Sequence, residues 1–171
     1  MSFTFFWRSD SPFSQWYRSS FVVNGVTYNC AEQVMMHQKA VLFGDEIIAD
    51  KILQSDSPAE QKRLGRRVKG FQADVWDQHR KSIVYEGNYA KFTQNPKLKQ
   101  ALLETAGTLL VEASPVDRIW GVGLAADDPR IQDPQQWRGS NDLGEILTRL
   151  REALIEESHG ASESAVAMDI D

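Results

Sequence analysis

FVVNGVTYNCAEQVMMHQKA, Phe21–Ala40, changes its period halfway along. The first part sets Asn24-Gly25 between two β-prone runs, the strongest short signal for a hairpin. From Asn29 the apolar residues no longer alternate, and a helix is expected from there to about Phe43, stopped by Gly44. A hairpin feeding straight into a helix points to an α+β domain. Within that helix Glu32 and Lys39 stand seven positions apart, so their side chains lie about 20° from each other around the axis. Met35 and Met36 border the same stripe. Asn29 and Glu32 also have the spacing of a capping box, in which the glutamate turns back to the cap N–H. A capped, solvated helix and a pocket floor carrying an acid and an amine are both readings of this stretch.

Outward from it, Phe3–Trp7 reads as a short strand, followed by a Ser-rich loop. DEIIADKILQ continues as a second helix after Gly44. Ser57-Pro58-x-Glu60 marks a third helix start, with cap, first helical residue and box glutamate in order. Asp74–Phe92 is a longer helix, and Asn95-Pro96 stops it and opens a short one. TLLVEAS (Thr108–Ser114) is a strand by β-branched and apolar content. Residues 115–139 form a long loop rich in Gly, Pro and Asp, a length that in compact domains usually carries function. Leu143–Ile155 is a final amphipathic helix. The fold class is therefore α+β and predominantly helical: one compact domain over residues 1–155 with a few short strands and a hairpin. Residues 156–171 (ESHGASESAVAMDID and the preceding glutamate) read as a disordered acidic tail.

With 171 residues and 42% hydrophobic content the chain supports one real core. A net charge of −5 gives no global basic field for nucleic acid or anionic membrane, and leaves only a local basic pocket as an anion site. The single cysteine, Cys30, excludes an intrachain disulfide and suits a reducing compartment. No apolar run approaches the length of a membrane span, and the N-terminus lacks a signal-peptide pattern. A cytoplasmic or nuclear location is expected, with no membrane partner.

The remaining candidates each have two readings. KRLGRRVK (Lys62–Lys69) holds five cations in eight residues: a solvated helix face, or a phosphate patch in which arginine forks match phosphate oxygens. Gly65 inside it costs roughly 1 kcal/mol against alanine, so something approaches closely there, a packed helix or a ligand. IWGVGL (Ile119–Leu124) lets backbone N–H groups approach a ligand, or is a plain turn. Asn141 stands where a cap for the last helix belongs, and a cap can share its N–H groups with an anion. The tryptophans build core or wall a flat-ring pocket. The three histidines are scattered and no Cys/His spacing fits zinc, so no metal and no cofactor are expected.

Taken in order, PFSQWY (Pro12–Tyr17), the hairpin FVVNGVTYN, AEQVMMHQKA (Ala31–Ala40), LGRRV (Leu64–Val68), Val75-Trp76, AKF (Ala90–Phe92), LLETAGTLLVEAS (Leu102–Ser114), DRIWGVGL (Asp117–Leu124) and WRGSNDLGEILTRLR (Trp137–Arg151) make a series. In that order they resemble the NADAR (NAD and ADP-ribose) family, which includes the riboflavin-biosynthesis-intermediate N-glycosidases. The resemblance runs from about Phe5 to Glu152. It implies hydrolysis of the bond between a phosphorylated ribose and an exocyclic ring amine. Of the two substrate classes it implies, ADP-ribose on guanine, as a nucleotide or in nucleic acid, is preferred because the acidic tail suits a signalling or repair protein. Ribosylamino-pyrimidinone phosphates of riboflavin synthesis are the alternative, and a non-catalytic ADP-ribose-binding module is a third reading. On the same basis Glu32 and Lys39 are the expected catalytic residues, with a Schiff base at Lys39 and direct water attack both open. Arg66 and Arg67 are expected on the phosphates, Trp76 and Trp120 against the ring, and Gly121, Gly123 and Asn141 as backbone or amide contacts. Phe6, Ser14 and Trp16 are expected to close the pocket. The chain departs from the family pattern at Gln15, where asparagine is usual, and after Glu32, where Gln33, Met35 and Met36 replace the histidine and aromatic of EHxYQxxK.

Overall fold

The computed structural model describes residues 1–168, with side chains to 161. Four strands and six α-helices are present among the described residues. The hairpin forms as expected: β2 (Phe21–Val23) pairs antiparallel with β3 (Val26–Tyr28), Phe21 opposite Tyr28. Asn24 (φ 50°) and Gly25 (φ 81°) are both left-handed, which gives the turn the twist that adjacent strands need. The second sheet is a parallel pair. β1 (Phe3–Phe6) lies beside β4 (Leu109–Glu112), with Phe6 opposite Glu112.

Helix α1 (Ala31–Leu42) is the hub and packs against α2 (Glu46–Leu53), α3 (Pro58–Gly65) and α4 (Ala73–Gln94). α5 (Pro96–Leu103) turns the chain back toward β4, and α6 (Asp142–Met168) packs on both β4 and α4. The main core joins Met35, Met36 and Ala40 of α1 to Ile52, Leu64, Phe92, Leu102, Leu147 and Leu150. A smaller cluster of Val111, Val122, Leu124 and Ile131 lies behind β4, under the long loop. That loop is ordered by two 3₁₀ turns, Pro129–Gln132 and Pro134–Gln136, capped by Asp128 and Asp133. No described helix is long and apolar enough to cross a membrane.

Three local expectations change. Cys30, not Asn29, occupies the cap position of α1 and makes no side-chain cap bond. Gln33, not Glu32, turns back to the Asn29 N–H at 2.8 Å, because the Gln33 amide is also anchored on the Ile52 carbonyl at 3.0 Å. The capping-box role is thus filled and Glu32 is left over. The last helix, expected over Leu143–Ile155, runs on to Met168, through most of the stretch read as a disordered tail. From Glu156 to Ala161 that extension is exposed on every face, so local helix propensity carries it. Residues 169–171 lie outside the described part.

Gly144 sets the seat of α6. A Cβ there would overlap the Leu110 carbonyl oxygen and the Asn141 amide. Backbone on β4 cannot give way, so Gly144→Ala is expected to destabilise by about 3 kcal/mol. Thermal unfolding should then show a melting temperature lower by about 10 °C; an unchanged value would mean that α6 can slide on β4.

Candidate active site

Glu32 sits on the first turn of α1 and is 4% exposed. Its N–H donates to the Gln15 carbonyl at 2.9 Å, which ties the N-terminal loop across the helix start. The influences on its carboxylate are burial and charges at a distance, with no hydrogen bond among them. Burial pushes the carboxyl up to about 7; Lys62 opposes this, Asp117 adds to it, and Lys39 and Arg66 oppose it further. An ordinary buried glutamate is paired or hydrogen-bonded. Among the described residues this one is neither, and its burial favours the protonated form.

Lys39 lies two turns further along the same stripe, about 10 Å along the axis at 1.5 Å per residue. Its Nζ lies 4.6 Å from the centroid of Phe71 and 5.8 Å from that of Trp76, with Phe43 edge-on to Phe71 at 5.4 Å. Burial holds the amine below the usual lysine range; Glu32 works against that shift and Arg66 with it. With no bonded carboxylate among the described residues, an amine in an aromatic corner loses its proton more readily than a solvated one.

α3 supplies the cations. Gly65 is bare because Met36 occupies the space a side chain would fill, so the close approach read from the sequence is that of a packed helix. It brings α3 against α1 and sets Lys62 and Arg66 over Glu32, both exposed at their heads. Arg67 is exposed and is not among the charges acting on Glu32 or Lys39.

The long loop and β4 form the opposite wall. Trp120 packs against the core and carries the Arg80 guanidinium 5.0 Å from its ring centroid. Arg80 is held in turn by Asp142 at 2.8 Å. Gly121 lies against the end of β4: a Cβ on it would stand 2.9 Å from the Glu112 carbonyl oxygen and 3.2 Å from Glu112 Oε2. Gly123 is left-handed at φ 70°. Asn141 is fully buried, and both ends of its amide are engaged on β4: Oδ1 accepts from the Glu112 N–H at 3.0 Å and Nδ2 donates to the Leu110 carbonyl at 3.0 Å. It braces the wall rather than offering its amide to a ligand.

Of the loop residues, Ser14 accepts the Lys91 ammonium on its carbonyl at 3.0 Å and the Trp16 N–H on its hydroxyl at 3.1 Å. Trp16 lines a hollow of about 550 Å³ with Tyr17, Arg18, Ser57 and Ala59, one turn of α3 from Lys62; Glu32 is not among its lining residues. Phe6 is a core residue, 6% exposed and edge-on to Phe13 at 5.8 Å. Below the loop, Asn88 Nδ2 donates a hydrogen bond to Gln15 Oε1 at 2.8 Å, leaving Gln15 Nε2 and Asn88 Oδ1 unpartnered. Lys91 is fully buried beside them, its amine lowered to about 7 by burial, with Cys30 the opposing influence.

Phe71 and Trp76 thus flank Lys39, and the charges of Lys62, Arg66 and Asp117 act on Glu32, whose own charge acts on Glu112; the basic cluster starting at Lys62 was visible in the sequence, and Phe71, Asp117 and Glu112 were missed. Glu112 ends a strand buried on both sides, at Leu110 and Val111, and a carboxylate in such a strand is the one sequence signal available for it. Among the described residues no cluster of histidine, cysteine or carboxylate could hold a metal ion.

The NADAR domain matches residues 5–155. A relative from Acanthamoeba polyphaga mimivirus, N-glycosidase R617, is 46% identical over 145 residues, 82% of this chain and 85% of that protein. Protein irg-1 of Caenorhabditis elegans is 39% identical over 168 residues, 89% of this chain and 79% of that one. The NMR structure of the Escherichia coli protein YbiA superposes with a TM-score of 0.76 at 28% identity, covering 92% of this chain and 87% of that one. Fold, motif order and sequence agree, and the chain belongs to the NADAR family.

Proposed function

We propose that the protein is an N-glycosidase that removes ADP-ribose from guanine, cleaving the bond between the anomeric carbon and the exocyclic ring amine. The observation that carries this reading is Glu32: a buried carboxyl without a hydrogen bond, titrating near neutrality, on the same stripe as a half-buried amine. A binding module needs neither group. The name of the mimivirus relative supports the bond class. The exposed heads of Lys62 and Arg66 match a diphosphate above the stripe, and Trp76 and Trp120 suit a flat ring on either side.

In the reaction the C–N bond breaks with its electron pair going to the ring amine, which takes up a proton, while a water oxygen joins the anomeric carbon. Glu32 takes the proton from the water whose oxygen joins that carbon. Lys39 attacks the ring-opened sugar, displaces the amine as a Schiff base, and is released by water.

The test is turnover of an ADP-ribosylated guanine oligonucleotide by wild type and Lys39→Ala, with borohydride present and absent. Wild type should release ADP-ribose, and the substitution should lower turnover at least about 100-fold. Borohydride should fix sugar mass on the wild type alone. Cleavage of ribosylamino-pyrimidinone phosphates with no release from guanine would overturn the substrate assignment. Turnover by Lys39→Ala at the wild-type rate would overturn the role of the amine.

A further inference from the structure

Resting on the N-glycosidase reading, we infer that Glu112 is the second carboxyl of the reaction: it is the acid that protonates the departing ring amine, opposite Glu32 as the base that activates water. Glu112 closes β4, where the strand ends and the long loop begins. Its backbone is fixed at both groups, the N–H by Asn141 Oδ1 at 3.0 Å and the carbonyl by the Val122 N–H at 3.0 Å. Its side chain is held by packing and makes no side-chain hydrogen bond among the described residues. Oε2 is buried and has no hydrogen-bond partner, and the missing side chain of Gly121 leaves the space it occupies. A buried carboxyl oxygen without a donor is far costlier for an anion than for the protonated acid, so the arrangement favours the proton-bearing form.

The surrounding charges agree. Burial pushes Glu112 up to about 8; Asp117 and Glu32 add to the rise and Lys62 opposes it. Asp117 is itself oriented by the N–H groups of Ile119 and Trp120, both at 2.9 Å. An ionised Glu32 therefore helps to keep the proton on Glu112, after burial and Asp117. Two carboxyls held apart in this way divide the roles of acid and base between them.

The step balances. Glu112 gives its proton to the exocyclic nitrogen as the C–N bond breaks toward nitrogen. Glu32 takes a proton from the water whose oxygen bonds to the anomeric carbon, or to the Lys39 imine carbon. The pair ends with the proton exchanged from Glu112 to Glu32, and solvent resets it. Asn141 and Gly121 then have a role in the reaction as positioning residues, through the carboxyl they place.

The experiment compares wild type with Glu112→Gln, which keeps the shape and removes the titration. On ADP-ribosylated guanine kcat should fall about 10²- to 10⁴-fold with KM little changed. The wild-type kcat profile should rise through pH 7 and fall through pH 8, and the alkaline fall should vanish in Glu112→Gln. Unchanged kcat and profile in Glu112→Gln would overturn the proposal. If wild type turns over no ADP-ribosylated guanine, the substrate reading fails separately, and the pair is then read by ¹³C NMR titration of the glutamate carboxyls. The Glu112 titration should move down by about one unit when Glu32 is replaced by Gln; a Glu112 titration that stays in place overturns the proposal without any substrate.

Discussion

Glu32→Gln is expected to lower kcat on ADP-ribosylated guanine by about 10³-fold and, at pH 8, to raise the melting temperature. The two effects have one origin. In the folded protein the Glu32 carboxyl titrates near 7 instead of its ordinary 4.5, so between those values the unfolded chain has released a proton that the folded chain still holds. Stability therefore falls as pH rises through this window, and above 7 the folded state carries the full penalty, about 3 kcal/mol. Glutamine removes the charge and the penalty together. The gain should be about 10 °C at pH 8 and vanish near pH 4, where the carboxyl is neutral in both states. An equal gain at both pH values would show that glutamine merely packs better, and no gain at pH 8 would show that the carboxylate is paired in solution.

Lys91→Met should stabilise the protein with the opposite pH dependence. Lys91 is fully buried, donates to the Ser14 carbonyl at 3.0 Å, and has its amine lowered from 10.5 to about 7. Between those values the unfolded chain binds the proton that the folded chain lacks, so stability rises with pH across the window and the penalty is greatest below 7. Methionine relieves about 5 kcal/mol of that penalty at pH 6 and loses about 1–3 kcal/mol with the Ser14 carbonyl left unpaired. Denaturant titrations should show a net gain of a few kcal/mol at pH 6, shrinking at pH 9. A loss of stability at pH 6 would mean that the ammonium is solvated where it sits.

The helices were readable where a single residue type decides the matter. Pro58 and Pro96 open helices, Ser57 caps one through the Glu60 N–H, and Asn24-Gly25 turns the hairpin. Each of these signals acts within a few residues. The reach-back of Gln33 was not readable, because the choice between Gln33 and Glu32 depends on the Ile52 carbonyl, supplied from α2. The same applies to Asn141: it stands where a cap belongs, but its partners are on β4, about thirty residues away. Glu32 and Lys39 were visible as a pair because helical spacing relates them. Glu112 and Asp117 were not, since only the parallel pairing of β1 with β4 and the folding of the long loop carry them to α1. No local pattern encodes that meeting.

The pairing of Phe3–Phe6 with Leu109–Glu112 joins the beginning of the chain to a strand reached only after five helices. Loop closure over such a separation is slow compared with helix formation and with the hairpin turn. During synthesis α1 to α4 can associate while β4 is still unmade. A chain at that stage already has Glu32 and Lys39 and lacks the wall opposite them. For the site proposed above, catalytic competence is expected late in the life of each molecule, and in refolding it should return with the slowest phase, after most of the helical signal has recovered.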